Sequence, residues 1–347
     1  MFKTSNKIIV VQFLKNKGIT LSPKHYFVDA LSYMALGLFS SLLIGLIFNT
    51  LGDQIGIASF VEIGQFAMDS KIVGAAIGVA VAYSLKAPPL VLFSAVFAGA
   101  FGGAVGGPAG SYVTVLLATE IGKLVYRLTN VDIIVVPFTV ILAGYYIGTF
   151  VGIPIDKLMS SLGNLINWST EQRPFVMSIL VAAIMGLALT APISSAAIAF
   201  MLGLDGLSAG AAVIGCSAQM VGFASISYKE NGINGVIAQG LGTSMLQIGN
   251  VVKNPLILIP PTLAGMISAP IAISLFRMTN NEAGAGMGTS GFVGQFMAFE
   301  SMGFSLNTVI LVLIFHILLP LAICLFCAHI MRKKGWIEDG DLLLKYD

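Results

Sequence analysis

The sequence predicts an all-α polytopic membrane protein, and three observations predict it. Of 347 residues, 56% are apolar and only 10% are charged, against about 25% charged in a soluble domain, whose surface water must wet. Mean hydropathy is +0.92. The apolar residues gather in long stretches, and a span needs about 20 of them. The length then holds about eight to ten transmembrane helices plus re-entrant hairpins, in one membrane domain with a two-half organisation. A net charge of +2 excludes the basic surface that tracks a phosphate backbone, so lipid is the expected partner and nucleic acid is not.

Residues 1–25 form a basic N-terminal segment, with Lys3, Lys7, Lys15, Lys17 and Lys24 around the run Ile8 to Leu14. Seven apolar residues cannot span; the segment suits an amphipathic surface element or a plain basic tail. It lacks the short apolar core and small-residue cleavage site of a cleaved signal peptide. Apolar stretches follow near 27–51, 72–85, 89–106, 110–126, 132–155, 175–203, 207–227, 234–253, 255–276, 284–299 and 305–331. Arg332, Lys333 and Lys334 close the last. Basic residues at both ends mark both termini as cytoplasmic and the number of crossings as even.

Two segments read as interfacial or connecting: 55–70, with Glu62 and Asp69, and 154–174, with Asp156, Lys157, Trp168, Glu171 and Arg173 between Pro154 and Pro174. The second lies midway along the chain and is the expected boundary between halves, at 173/174. Lys86-Ala87-Pro88-Pro89-Leu90-Val91-Leu92 is echoed by Lys253-Asn254-Pro255-Leu256-Ile257-Leu258. Gly107 to Val113 is echoed by Gly288 to Val293. The order is kept, as duplication or a biased composition alone would give.

The candidate chemistry lies in the second half. Gln239, Thr243, Gln247, Asn250 and Asn254 recur at steps of three and four, which is one stripe on a helix, and Pro255 is a natural stop. Amides facing lipid would each lack partners, at about 1 to 3 kcal/mol, so the stripe faces a solute or a neighbouring helix. Residues 282–295 hold five glycines. Gly286, Gly288 and Gly291 match G-x-G-x-x-G, but no strand precedes them, so no dinucleotide cofactor is implied. Glycines here free the backbone to line a cavity or let helices pack closely, with Thr289 and Ser290 as caps or ligands. Thr190-Ala191-Pro192-Ile193-Ser194-Ser195 reads as a broken helix, a re-entrant tip or a simple kink. Among acids in apolar sequence, Glu120, Glu282 and Glu300 are functional or interfacial candidates.

No metal or cofactor is expected. Cys216, Cys324 and Cys327 lack a second ligand pair and read as buried small hydrophobes. His316 and His329, in the last span, read as packed or interfacial. No H-E-x-x-H, G-x-S-x-G or P-loop is present, so no catalytic residue is named.

The run Asn254-Pro255-Leu256-Ile257-Leu258-Ile259-Pro260-Pro261-Thr262-Leu263-Ala264-Gly265, followed by Glu282-Ala283-Gly284-Ala285-Gly286-Met287-Gly288-Thr289-Ser290-Gly291, resembles the enzyme IIC membrane subunits of the bacterial phosphotransferase system. More narrowly, it resembles the subgroup that includes perfringolysin-regulator-like proteins. The resemblance implies a homodimeric carrier of a sugar or other small polar solute in the bacterial cytoplasmic membrane. On it, 26–173 is a scaffold and dimerisation half, 174–331 a transport half with two re-entrant hairpins, and 332–347 a cytoplasmic tail. Thr190, Ser194, Ser195, the amide stripe, Glu282, Gly286, Gly288, Thr289 and Ser290 would meet the solute. If phosphorylation is coupled, the activity is that of a sugar phosphotransferase acting with separate IIA and IIB proteins. Relatives of the lactose and chitobiose type carry Asn-Glu-Pro where this chain has Leu241-Gly242-Thr243. The glutamate that holds a sugar hydroxyl is therefore missing, which leaves transport with or without phosphorylation. A membrane-bound solute sensor that signals through the basic N-terminal segment is the alternative from another class.

Overall fold

The computed structural model describes residues 12–191 and 194–344. It is 84% helical, with no strand among the described residues. In chain order the helices are α1 His25–Ile55, α2 Ala58–Ala67, α3 Ser70–Ser84, α4 Pro89–Val125, α5 Asp132–Gln172, α6 Pro174–Thr190 and α7 Ser195–Leu202. They continue with α8 Gly206–Ile226, α9 Tyr228–Ile237, α10 Ile248–Lys253, α11 Pro255–Phe276, α12 Glu282–Ala285, α13 Val293–Met302 and α14 Leu306–Lys333. Of the expected surface run Ile8 to Leu14, residues 8–11 lie outside the described residues; 12–16 are helical.

Six of these, α1, α4, α5, α8, α11 and α14, are long and apolar enough to cross a membrane, and α2 with α3 forms a pair bent by 55° that counts as a seventh. The chain is a multi-pass membrane protein. The sequence range of eight to ten treats 89–106 and 110–126 as separate stretches, and the geometry of α4 explains the difference. Gly106 and Gly107 leave helical geometry, Gly107 at φ +55°, and Pro108 opens a second arm. The arms fold back on each other: a Cβ at Gly102 would meet Ser111 Cα at 2.9 Å, and one at Gly122 would meet Val91 at 2.9 Å. In a straight helix, residues 91 and 122 would stand about 46 Å apart. Each arm is about 27 Å long, close to the ~30 Å hydrocarbon core. α4 therefore contributes two crossing-length arms.

The chain divides into two compact units, Met1–Ser160 and Ser161–Asp347, with the division inside α5. The first unit is sealed by glycine. Gly74 and Gly78 on α3 face Gly99 and Gly103 on α4, where a Cβ at Gly103 would lie 2.8 Å from Gly74 Cα. Ser111 Oγ donates to the Gly74 and Gly99 carbonyls at 3.2 and 3.1 Å. Small residues four apart let backbones approach to contact, the usual device where lipid supplies no hydrophobic drive between helices.

The second unit is built around α8. Its sequence has no Asp, Glu, Lys or Arg, and 89% of its most apolar window is buried. Gly215 packs against Ala182 of α6 and against Gly265 of α11, both contacts that a Cβ would obstruct. A helix apolar all round sits in a core, and that is where α8 lies.

Candidate functional site

Three helix interruptions converge beside α8. The first follows Thr190, where α6 stops; α7 restarts with Ser194 capping Ala197 N–H. Pro192 and Ile193 of that predicted break lie outside the described residues. The second is at Thr243, whose φ −161° and ψ 143° separate the end of the α9 helix from a tight turn at Ser244–Gln247. The third is the glycine segment, where Gly288 and Gly291 have φ of +55° and +52°.

Side chains from these breaks bond to one another and to α8. Thr190 Oγ1 donates to Gln219 Oε1 at 3.1 Å and lies 2.8 Å from Ser244 Oγ. Gln219 Nε2 donates to Thr262 Oγ1 of α11 at 2.9 Å. Thr289 Oγ1 donates to the Gly240 carbonyl at 2.6 Å, and Ser195 Oγ to the Gly286 carbonyl at 2.7 Å. Gly288 is obligatory: its φ is left-handed, and a Cβ would stand 2.7 Å from the Cys216 carbonyl carbon. A cavity of about 500 Å³ opens beside this cluster, lined by Tyr228, Gly240, Leu241, Thr289 and Phe292 and by apolar side chains of α8 and α14.

The amide stripe is placed differently from a single helical face. The break at Thr243 divides it, and its outer partner is the chain's own C-terminal tail. Gln239 and Gln247 are fully buried. Gln247 Nε2 donates to Gln239 Oε1 at 2.8 Å and to the Leu342 carbonyl at 3.0 Å. Asn250 Nδ2 donates to Gln247 Oε1 at 2.7 Å and to the Leu343 carbonyl at 3.0 Å. Asn254 Nδ2 reaches the Trp336 carbonyl at 3.0 Å and Asp341 Oδ2 at 2.8 Å. Asn231 both donates to the Leu342 carbonyl and accepts from Leu344 N–H, each at 2.8 Å. Ile337 and Leu342 anchor the tail in an apolar cluster with Phe223 and Val251. The packing alternative and the solute alternative thus meet different residues: amides on the tail, hydroxyls at the breaks.

Glu282 caps neither group. It opens α12 and keeps an exposed edge. Ser290 sits half-buried on the turn that precedes Phe292. Sequence reasoning missed Gln219, Ser244, Thr262 and the tail. Gln219 had a signal: it is the one amide in a 21-residue helix without charges.

A polytopic helical protein with broken helices meeting at a buried polar centre has the architecture of a membrane carrier. The family model described as Phosphotransferase system, EIIC matches residues 28–344. The chain belongs to that family and is a membrane transporter component of the phosphotransferase system. No curated protein and no solved structure matches it.

Proposed function

We propose that the protein carries a small polar solute, a sugar or a compound of similar hydroxyl chemistry, across the bacterial cytoplasmic membrane. It acts as a homodimer with both termini in the cytoplasm. Residues 26–173 serve as scaffold and dimer contact, and 174–331 bind and move the solute. The convergence of three helix interruptions beside α8, the first of them bonded to Gln219, supports this reading, because free backbone and hydroxyls at membrane depth are tolerated where they line a path. Thr190, Ser194, Ser195, Thr243, Thr289 and Ser290, with Gly286 and Gly288, are the groups at the breaks. Gln239, Gln247, Asn250 and Asn254 meet solute only when the tail has left them, and Glu282 stands at an exposed edge of the glycine segment.

Gly242 stands where sugar-transporting relatives of the lactose and chitobiose type carry a glutamate, next to Leu241, which lines the cavity. The hairpin therefore offers no carboxylate to a sugar hydroxyl, which favours uptake uncoupled from phosphorylation over transfer from a separate IIB protein. A thermal-shift screen of the purified protein against sugars, polyols and organic acids tests the reading. A true ligand raises stability by about 2.7 kcal/mol at one hundred times its Kd, and Gln219→Leu should abolish the shift. A screen with no hit in these classes overturns it.

The clasped tail favours a second reading, a membrane-bound solute sensor whose tail is released on binding. Flux separates the two: proteoliposomes loaded with the ligand leak it through a carrier and retain it with a sensor.

A further inference from the structure

Behind the glycine segment, three elements bring His316 of α14, Gln295 of α13 and Ser217 of α8 together. They are 1%, 5% and 0% exposed. Gln295 Nε2 lies 3.1 Å from His316 Nδ1 and 3.4 Å from Ser217 Oγ. Gln295 Oε1 is buried with no partner at all. His316 is ten residues from Leu306, so the ring lies about 15 Å along the helix, near the middle of a ~30 Å hydrocarbon core.

The surroundings of the ring favour its neutral form. With Gln295 Nε2 as the donor, Nδ1 accepts and the imidazole is neutral, its proton on Nε2. No opposite charge stands ready for a second proton. α8 and α11 have no Asp, Glu, Lys or Arg. The other titratable groups on the elements packed against the ring are engaged or distant. Cys216 Sγ donates to the Met185 carbonyl at 3.4 Å. Glu300 accepts from Asn281 Nδ2 at 2.8 Å. Cys324, Cys327, His329, Arg332 and Lys333 lie two turns or more further along α14 itself.

The orphaned oxygen is the informative atom. A protonated ring needs an acceptor at Nδ1, and turning the Gln295 amide by 180° places Oε1 there. In either orientation one amide atom lacks a partner, and no carboxylate stands beside the ring to balance a second proton, so the seated hairpin favours the neutral ring. Such a residual mismatch is removed only when α13 moves away and water enters.

We propose that His316 is a proton-binding site coupled to the position of the glycine hairpin, residues 282–302: the seated hairpin holds the ring neutral, and a proton is taken up as the hairpin leaves. The inference rests on the carrier reading and gives that carrier a driving ion. A histidine at membrane depth is suited to the task because its ordinary pKa lies near 6.5. The sign follows from linkage. The seated state excludes the proton and the open state accepts it, so acid favours opening. With an ordinary ring in the open state, the open fraction rises about tenfold between pH 7.5 and pH 5.5.

Hydrogen exchange of the full chain in nanodiscs of uncharged lipid, corrected for intrinsic rates, reads this opening without any solute. The expected result is a roughly tenfold greater opening of residues 282–302 at pH 5.5 than at pH 7.5. His316→Gln should abolish it, and His25→Gln with His329→Gln should preserve it. A response of the same size in His316→Gln, or no response in the wild type, overturns the proposal. Should His316→Gln not fold, nitrogen NMR of the protein with His316 as sole histidine decides: a ring that takes up a proton as 282–302 open supports coupling, and one that stays neutral down to pH 5 refutes it. A failed ligand screen would count against the carrier reading and leave this exchange result standing.

Discussion

The two units bury polar side chains in opposite ways. In the first, hydroxyls return to their own helix: Ser41 to Gly37, Thr50 to Leu46, Ser84 to Val81 and Ser94 to Leu90, all at 2.7 to 2.9 Å. Lys123, Ser111 and the tyrosines are exceptions: Tyr112 donates to the Tyr26 carbonyl and Tyr26 to Glu120. The buried Lys123 ammonium donates to the Gly18 and Leu85 carbonyls at 3.0 and 3.1 Å and pairs with Glu120 at 3.0 Å. In the second unit the bonds run between elements far apart in sequence: Thr190 with Ser244, Gln219 with Thr262, Gln247 with Leu342 and Gln295 with His316. A bond to a carbonyl one turn back survives any movement of its helix. A bond between helices breaks when either moves and stores an alternative arrangement. The first unit is wired to stay as it is, and the second is wired to change.

Breaking the glycine seam of the first unit should have the largest effect. Gly99→Leu with Gly103→Leu puts side chains where a Cβ alone stands 2.6 to 2.8 Å from facing Cα atoms. Forced overpacking of backbone against backbone is expected to cost about 3 kcal/mol or more. Loss of a monodisperse peak in detergent would register it; an unchanged melting temperature would show that the seam can part.

Ending the chain after Gly335 removes Ile337 and Leu342, each at most 2% exposed, and every tail bond to the stripe. Burial of one large aliphatic side chain is worth about 1.5 to 3 kcal/mol, so a fall of several degrees in melting temperature is expected. Exchange at residues 228–254 should rise while that of 70–125 stays constant. A uniform rise would erase the contrast between the units.

Gln219→Leu and Gln247→Leu come next. Each strands two or three buried partners, at about 1 to 3 kcal/mol. Gln219→Leu should weaken ligand binding together with stability. Gln247→Leu should lower stability alone, because its partners are the tail, Gln239 and Asn250; weakened binding at constant stability would return the stripe to the solute.

Ser94→Ala and Thr50→Val in the first unit should change stability by no more than about 0.5 kcal/mol, since the bonds lost lie within one helix. Melting temperatures compared with Gln219→Leu measure the difference between the two kinds of wiring.

The smallest effect belongs to Asp339, whose carboxylate accepts from Lys229 at 2.8 Å and Arg332 at 3.1 Å on an exposed surface. The Lys229 ammonium, with Arg332 behind it, holds this carboxyl below its usual range. A carboxylate lowered in the folded state stabilises above its unfolded pKa, and that contribution disappears as pH falls through the lowered value. Tail protection should therefore weaken only below about pH 4, and Asp339→Asn should remove that dependence. Salt should blunt it as well, as it does for exposed pairs.

The sequence by itself determined that this is a helical membrane protein, because 10% charge and spanning-length apolar runs leave the bilayer as the only solvent. It also pointed to two of the three interruptions, at Thr190 to Ser195 and across the glycine segment, because proline, glycine and hydroxyl residues break helices through local geometry; the break at Thr243 lies inside what the spacing reads as one helical stripe. Even the fold-back of α4 was legible as two short stretches separated by Gly107 and Pro108. The tertiary structure decided what the polar groups touch. The spacing of Gln239, Gln247, Asn250 and Asn254 gave a common face, but only the folded chain assigned that face to Trp336, Asp341, Leu342 and Leu343. No spacing relates Gln295 to His316 or Gln219 to Thr262, since partners on different helices meet through packing rather than periodicity. Period is a local property of the chain, whereas the identity of a partner depends on how distant elements pack.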